Sequence, residues 1–211
     1  MSSARDKPDL RRARGDDTRQ LILAAARDAL AENGAAGTTT RSIADRAGVQ
    51  LSLVHYHFGG KQQLLAAVLD RENEVLLERQ QALYDGPGTL ADKWRAACAY
   101  LREDLSSGYV RIGWELWAAG LADPELAERW RDALAGWRDL LVRVAAEWME
   151  ECGVELPISP RALVTLVGDL FLGAEAEILA GVTEEEAPHY EALESIARLI
   201  EWAERRDRSA R

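Results

Sequence analysis

The stretch Thr38 to Phe58, TTTRSIADRAGVQLSLVHYHF, constrains this chain more than any other. Ile43, Ala44 and Ala47 recur at helical spacing, which predicts a short helix with one apolar stripe. Thr39 is placed to cap it, because its hydroxyl can accept from a backbone N–H that has no partner in the first turn. Gly48 ends it, since glycine enters the left-handed conformation of a helix terminus without steric cost. Val49 packs the turn, and a second helix follows from about Gln50 to Phe58 with Val54 and Phe58 facing inward. Two short helices joined so tightly make a helix-turn-helix, the arrangement that lays its second helix in a DNA major groove.

The outward face of that second helix carries Gln50, Leu51, Ser52, Leu53, His55, Tyr56 and His57. Ser52, Tyr56 and the histidines can hydrogen-bond to phosphates, while Leu51 or Leu53 can touch thymine methyl groups. Leucines exposed at the start of a helix are costly against water and useful against DNA. His55 and His57 stand two residues apart, so on a helix they diverge and cannot chelate one metal.

The surrounding sequence extends the pattern. A helix TRQLILAAARDALAENG precedes the pair, and the HYHF tetrapeptide is followed by GGKQQLLAAVLD. From Thr18 to about Leu69 the chain resembles the DNA-binding domain of the tetracycline-repressor-like (TetR) family of bacterial regulators. It departs from the usual family pattern at His55, where Tyr is common, and at Gly60, where Ser or Asn is. The resemblance implies that Thr40, Arg41 and Lys61 contact the DNA backbone. Lys61 also opens a helix, where outward-pointing N–H groups favour a phosphate. It further implies a C-terminal body that binds a small effector, and a homodimer formed through the last two helices.

Net charge, −10, is at first sight wrong for a DNA binder. Residues 1–61, however, hold ten Lys/Arg against seven Asp/Glu, whereas residues 62–211 hold sixteen against twenty-nine. Such asymmetry directs the basic segment to nucleic acid and turns the acidic body away from it. Residues 1–15 carry Arg5, Lys7, Arg11, Arg12 and Arg14 without apolar periodicity, which predicts a disordered basic arm. No apolar run approaches the roughly 20 residues of a membrane span, and no secretory leader is visible, so a soluble cytoplasmic protein is expected. Cys98 and Cys152 then stay reduced.

Three parts are expected: the arm at 1–15, a helix-turn-helix domain at 16–62, and a helical effector-binding and dimerisation domain at 63–211. The first helix should start at a capping box, Asp17 to Gln20, and end near Asn33–Gly34. A long helix should run to the turn cluster Asp85-Gly86-Pro87-Gly88. Further helices are expected over about 89–106, 110–121, 124–152, 160–180 and 188–206, two of them opened by Asp123-Pro124 and Ser159-Pro160. No strand period survives, so the fold class is all-α.

All seven tryptophans lie outside the DNA-binding segment. Tyr100, Trp114, Trp117, Trp137 and Trp148 are candidates to line an effector cavity, against an ordinary core role. Glu115 and Asp104 could anchor a cationic ligand, but surface acids are the preferred reading. The helix at 160–180 is apolar almost all round and must be covered on every side. Leu163, Val167, Leu170 and Phe171 on it, with Leu193, Ile196 and Ile200 on the last helix, are the dimerisation candidates. Glu186-Ala187-Pro188-His189 spells E-x-x-H, yet a di-iron bundle needs two copies and two further glutamates. These readings converge on a homodimeric, ligand-responsive repressor of a palindromic DNA operator, without cofactor or catalytic role. A metal-dependent helical oxidoreductase and a non-specific DNA binder are the alternatives.

Overall fold

The computed structural model describes the backbone of residues 6–210 and the side chains of residues 15–205. Among these the chain forms nine helices and no strand: α1 Asp6–Gly37, α2 Thr40–Ala47, α3 Leu51–Phe58, α4 Lys61–Asp85, α5 Leu90–Ser106, α6 Tyr109–Gly120, α7 Pro124–Glu151, α8 Pro160–Leu179 and α9 His189–Ala210. The all-α expectation holds throughout. Helix starts follow local chemistry. Thr89 and Asp92 form a capping box at α5, and Ser159 caps α8 with Pro160 at its first position. Asp123 accepts from the N–H groups of Glu125 and Leu126 at the start of α7.

One start differs from expectation. α1 begins at Asp6, not at the Asp17–Gln20 box, so residues 6–15 are helical and not a disordered arm. Leu10, Arg11, Arg12, Ala13 and Arg14 are good helix formers, and Pro8 falls in the first turn, where its missing N–H costs nothing. Residues 1–5 of the expected arm, and the side chains of 6–14, lie outside the described residues. At its far end α1 bends at Gly34, which has φ 68° and ψ 176°.

The chain divides into two compact units, residues 1–72 with 111–130, and residues 73–110 with 131–211. In the first, Ile22, Ala26 and Leu30 of α1 bury against Ile43 of α2, Val54 of α3, and Leu64 and Val68 of α4. Ile112 and Leu116 of α6 and Leu126 of α7 belong to the same core. The division between 62 and 63 drawn from the sequence therefore does not match these units, because α6 and the first turns of α7 are built into the helix-turn-helix core.

The second unit packs α5 against α9 and α8. The Trp94 indole donates to the Leu193 carbonyl at 2.8 Å, and its ring meets Phe171 edge-on. Arg95 of α5 bonds both Glu194 and Glu201 of α9. Asp104 is not a loose surface acid: it holds Arg79 of α4 in a two-pronged pair at 2.8 and 2.5 Å, and the guanidinium lies over the Tyr100 ring. Glu115 is not one either, since it accepts from the Ala35 N–H within the first unit. No disulfide joins the half-buried Cys98 and Cys152, and burial pushes the Cys98 thiol up to about 12.

Candidate nucleic-acid interface

The reading head is built by short-range chemistry. Thr39 accepts from the Ser42 N–H at 3.0 Å while Ser42 accepts from the Thr39 N–H at 3.0 Å, so α2 starts in a reciprocal capping box. Gly48 follows α2 with φ 67° and ψ 30°, and the Val49 N–H reaches back to the Ala44 carbonyl at 3.0 Å. That left-handed step reverses the chain within two residues and delivers Gln50 as the cap of α3. Arg46 of α2 forms a two-pronged pair with Glu32 of α1, and that hydrogen bonding holds the Glu32 carboxyl below its ordinary value. Val54 and Phe58 anchor α3 in the core, and Arg19 of α1 lies over the Phe58 ring.

The other side of α3 is open. Gln50, Leu51, Ser52, Leu53 and His55 are exposed, Tyr56 is 82% exposed, and His57 is half-buried beside it with the two rings edge-on. Arg41 is exposed and Thr40 half-buried at the N-terminus of α2. The two apolar and four polar exposed side chains of residues 50–56 thus share one eight-residue helix and its cap. Two of the expected contacts are already engaged within the chain. The His55 Nδ1 donates to the Gly59 carbonyl at 3.1 Å, closing the end of α3. The Lys61 ammonium donates to the Ala35 carbonyl at 2.7 Å instead of standing clear at the head of α4.

Residues 22–68 match the family model described as bacterial regulatory proteins, tetR family. Over these residues the chain is similar to the DNA-binding head of the TetR family. A helix-turn-helix transcriptional repressor of Mycobacterium tuberculosis is 49% identical to it over 55 residues, covering 26% of this chain and 29% of that protein. The transcriptional regulator TtgR of Pseudomonas putida is 39% identical over 59 residues, 28% of each. The chain thus spans less than a third of these relatives' length. A TetR-family transcriptional regulator from Pectobacterium atrosepticum is similar over more of the fold, with 26% identity, a TM-score of 0.67, and coverage of 90% of this chain and 94% of that one. The FadR regulator of Bacillus subtilis, solved with stearoyl-CoA, has the same fold at 17% identity and a TM-score of 0.70, covering 86% and 96%.

The expected effector residues are divided between the two units. Trp114 and Trp117 pack edge-on against each other in the first unit. In the second, Tyr100 is covered by Arg79 and the Trp137 ring lies against Gly168, where a Cβ would come within 3.1 Å of it. Trp148 lines a cavity in that unit, a space of about 320 Å³ bordered also by Tyr84, Leu90, Lys93, Glu147 and Glu204. The Trp148 indole N–H is buried and has no hydrogen-bond partner.

The expected dimerisation residues differ in exposure. Leu193 is 1% exposed and packs inside its own unit, and Phe171 turns inward onto Trp94. Leu163, Val167, Ile196 and Ile200 are half-buried, which leaves Leu170 as the exposed member of the set. The outward leucines are Leu166 on α8, 64% exposed, and Leu199 on α9, 66% exposed, with Trp202 exposed one turn on. Helical spacing carried the missing signal: with Val164, Gly168 and Phe171 inward, residues 166 and 170 must point away.

The E-x-x-H pair is drawn apart. Glu186 accepts from the Thr183 N–H and hydroxyl, whereas the His189 Nε2 lies 3.0 Å from a Glu177 carboxylate oxygen. Among the described residues no three His, Cys, Asp or Glu side chains gather to hold a metal, and no helix is long and apolar enough to cross a membrane.

Proposed function

We propose that the protein is a homodimeric, sequence-specific DNA-binding regulator, a repressor that leaves a palindromic operator when a small effector binds. The observation that carries the reading is the open face of α3. Leu51, Leu53 and Tyr56 stand exposed among Gln50 and Ser52 on a helix whose opposite face is locked in the core. Such a surface has little to gain from water and suits the base edges of a major groove. Gln50 to His57 would meet bases and nearby phosphates, with Thr40 and Arg41 on the DNA backbone. Similarity to a mycobacterial repressor over 55 residues supports the sign of regulation.

The exposed leucines of α8 and α9 support pairing with a second copy, which would present two reading helices to successive grooves. The cavity at Trp148, with its unpartnered indole N–H, supports a small effector that brings a hydrogen-bond acceptor. For release, the effector must prefer the non-binding conformer, and each tenfold of preference supplies only about 1.4 kcal/mol.

Selection of bound duplexes from random DNA tests the reading. Recovery of an inverted repeat is expected. Retention of DNA without any enriched sequence would favour the non-specific binder, and no retention would end the DNA-binding reading.

A further inference from the structure

The joint between α1 and α2 is gripped at one residue from two other helices. On α6, the Glu115 Oε2 accepts from the Ala35 N–H at 2.8 Å. On α4, the Lys61 Nζ donates to the carbonyl of the same Ala35 at 2.7 Å. The buried Thr38 closes the joint by donating its hydroxyl to the Gly34 carbonyl at 2.7 Å, and the next residue, Thr39, caps α2. Five residues, 35–39, therefore connect the Glu115 carboxylate to the first turn of the helix-turn-helix.

Gly34 shows how specific the grip is. Its φ of 68° and ψ of 176° fall in a region essentially reserved for glycine. Independently, a Cβ there would lie 2.7 Å from the Glu115 Oε1 and 2.8 Å from its Cδ. Backbone conformation and close approach each demand the same residue, and the second demand exists only because Glu115 is where it is. The break at Gly34 interrupts the helical ladder, and the N–H groups just beyond such a break are otherwise left to water. Here a half-buried carboxylate from 80 residues away takes one of them. Glu115 is itself held firmly, since Ile112 and Leu116 on the same helix are fixed in the core of the head.

We propose that Glu115 is a positioning residue for DNA binding. By holding the Ala35 N–H it sets the α1–α2 joint, and through it the placement of α2 and α3, while touching no DNA itself. Lys61 secures the opposite side of Ala35. The proposal rests on the regulator reading above and adds to it a residue 57 positions beyond the end of the reading helix, outside the segment that matches the family model.

The test uses the full chain and a duplex enriched from random sequence by the unmutated protein. Anisotropy titrations over a range of salt are made with Glu115→Ala and Glu115→Gln, alongside amide hydrogen exchange of the DNA-free proteins. If charge alone mattered, removing an acid would tighten binding to a polyanion. Positioning predicts the opposite sign: Glu115→Ala weakens the enriched duplex about tenfold or more. The slope of affinity against salt should stay unchanged, because no phosphate contact is lost. Exchange should quicken over residues 35–39. Glu115→Gln, whose amide oxygen can still accept from Ala35, should recover most of the loss. Unchanged or tighter binding by Glu115→Ala overturns the proposal, and so does weaker binding with exchange quickened evenly through the whole head. Failure of the unmutated protein to enrich any duplex overturns the regulator reading and the proposal with it, and that outcome is recognisable because no variant takes part in it.

Discussion

The α3 face and the α8/α9 face both expose large apolar side chains, yet they are chemically different surfaces. On α3, Leu51, Leu53 and Tyr56 alternate with Ser52 and His55, and Arg41 is exposed on the preceding helix. On α8, Leu166 and Leu170 stand four residues apart, and α9 shows Leu199 and Trp202 three apart, each pair about one helical turn. Donors mixed with methyl groups fit base edges and phosphates, whereas stripes of leucine fit another stripe of leucine. Exposure alone does not name a partner; the side chains interleaved with it do.

The most disruptive way to break this comparison is to charge the leucine stripes. Leu166→Glu with Leu199→Glu should weaken self-association more than about a hundredfold, because paired stripes would bury like charges. Light scattering would then read a single chain of 23.4 kDa instead of two, with helicity by circular dichroism unchanged. An unaltered mass would remove α8 and α9 from the interface. On the other face, Tyr56→Ala should cost about 1–3 kcal/mol on the enriched duplex and far less on random duplex, measured by competition. Equal losses on both would strip Tyr56 of any reading role. Arg41→Ala should act more weakly and without sequence preference, lowering the salt slope by about 0.9 for one lost phosphate contact.

The smallest effect concerns the inward side of α8. Glu175 lies nine residues beyond Leu166, half a turn round the helix, and burial, helped by the Asp104 charge, raises its carboxyl to about 8. A folded-state value above that of the unfolded chain means that the contribution to stability is complete below about 4.5 and is lost as pH rises through about 8. Glu175→Gln should therefore raise the melting temperature by about 2–4 °C at pH 8.5 and leave it unchanged near pH 4. A gain of equal size at both pH values would show that ionisation is not the cause.

Elements that depend on their own few residues were legible in the sequence. Thr39, Gly48, Thr89, Ser159 and Pro160 act within one turn, so the helix starts and stops they predict are observed. The inward anchors Val54 and Phe58 were equally readable from spacing. What stayed hidden depends on distant partners. α8 is apolar nearly all round, and Trp94 and Trp137 decide which stripe is inside, so spacing alone does not show that Phe171 turns inward while Leu166 stays exposed. Glu115 looks like any exposed acid until Gly34 and Ala35 are folded against it. The basic stretch before Asp16 has no apolar period, yet its residues favour helix strongly enough to extend α1 to Asp6.

The central claim is that one face reads DNA while the other pairs two chains, so that recognition requires both at a fixed separation. The direct measurement is affinity for a series of duplexes in which the two halves of the enriched repeat are moved apart one base pair at a time. The account predicts a sharp optimum, a fall of at least tenfold within two or three base pairs of it, and partial recovery about one helical turn, roughly 10.5 base pairs, further on. Affinity indifferent to spacing would contradict it, because two reading helices held by one dimer cannot follow half-sites around the duplex.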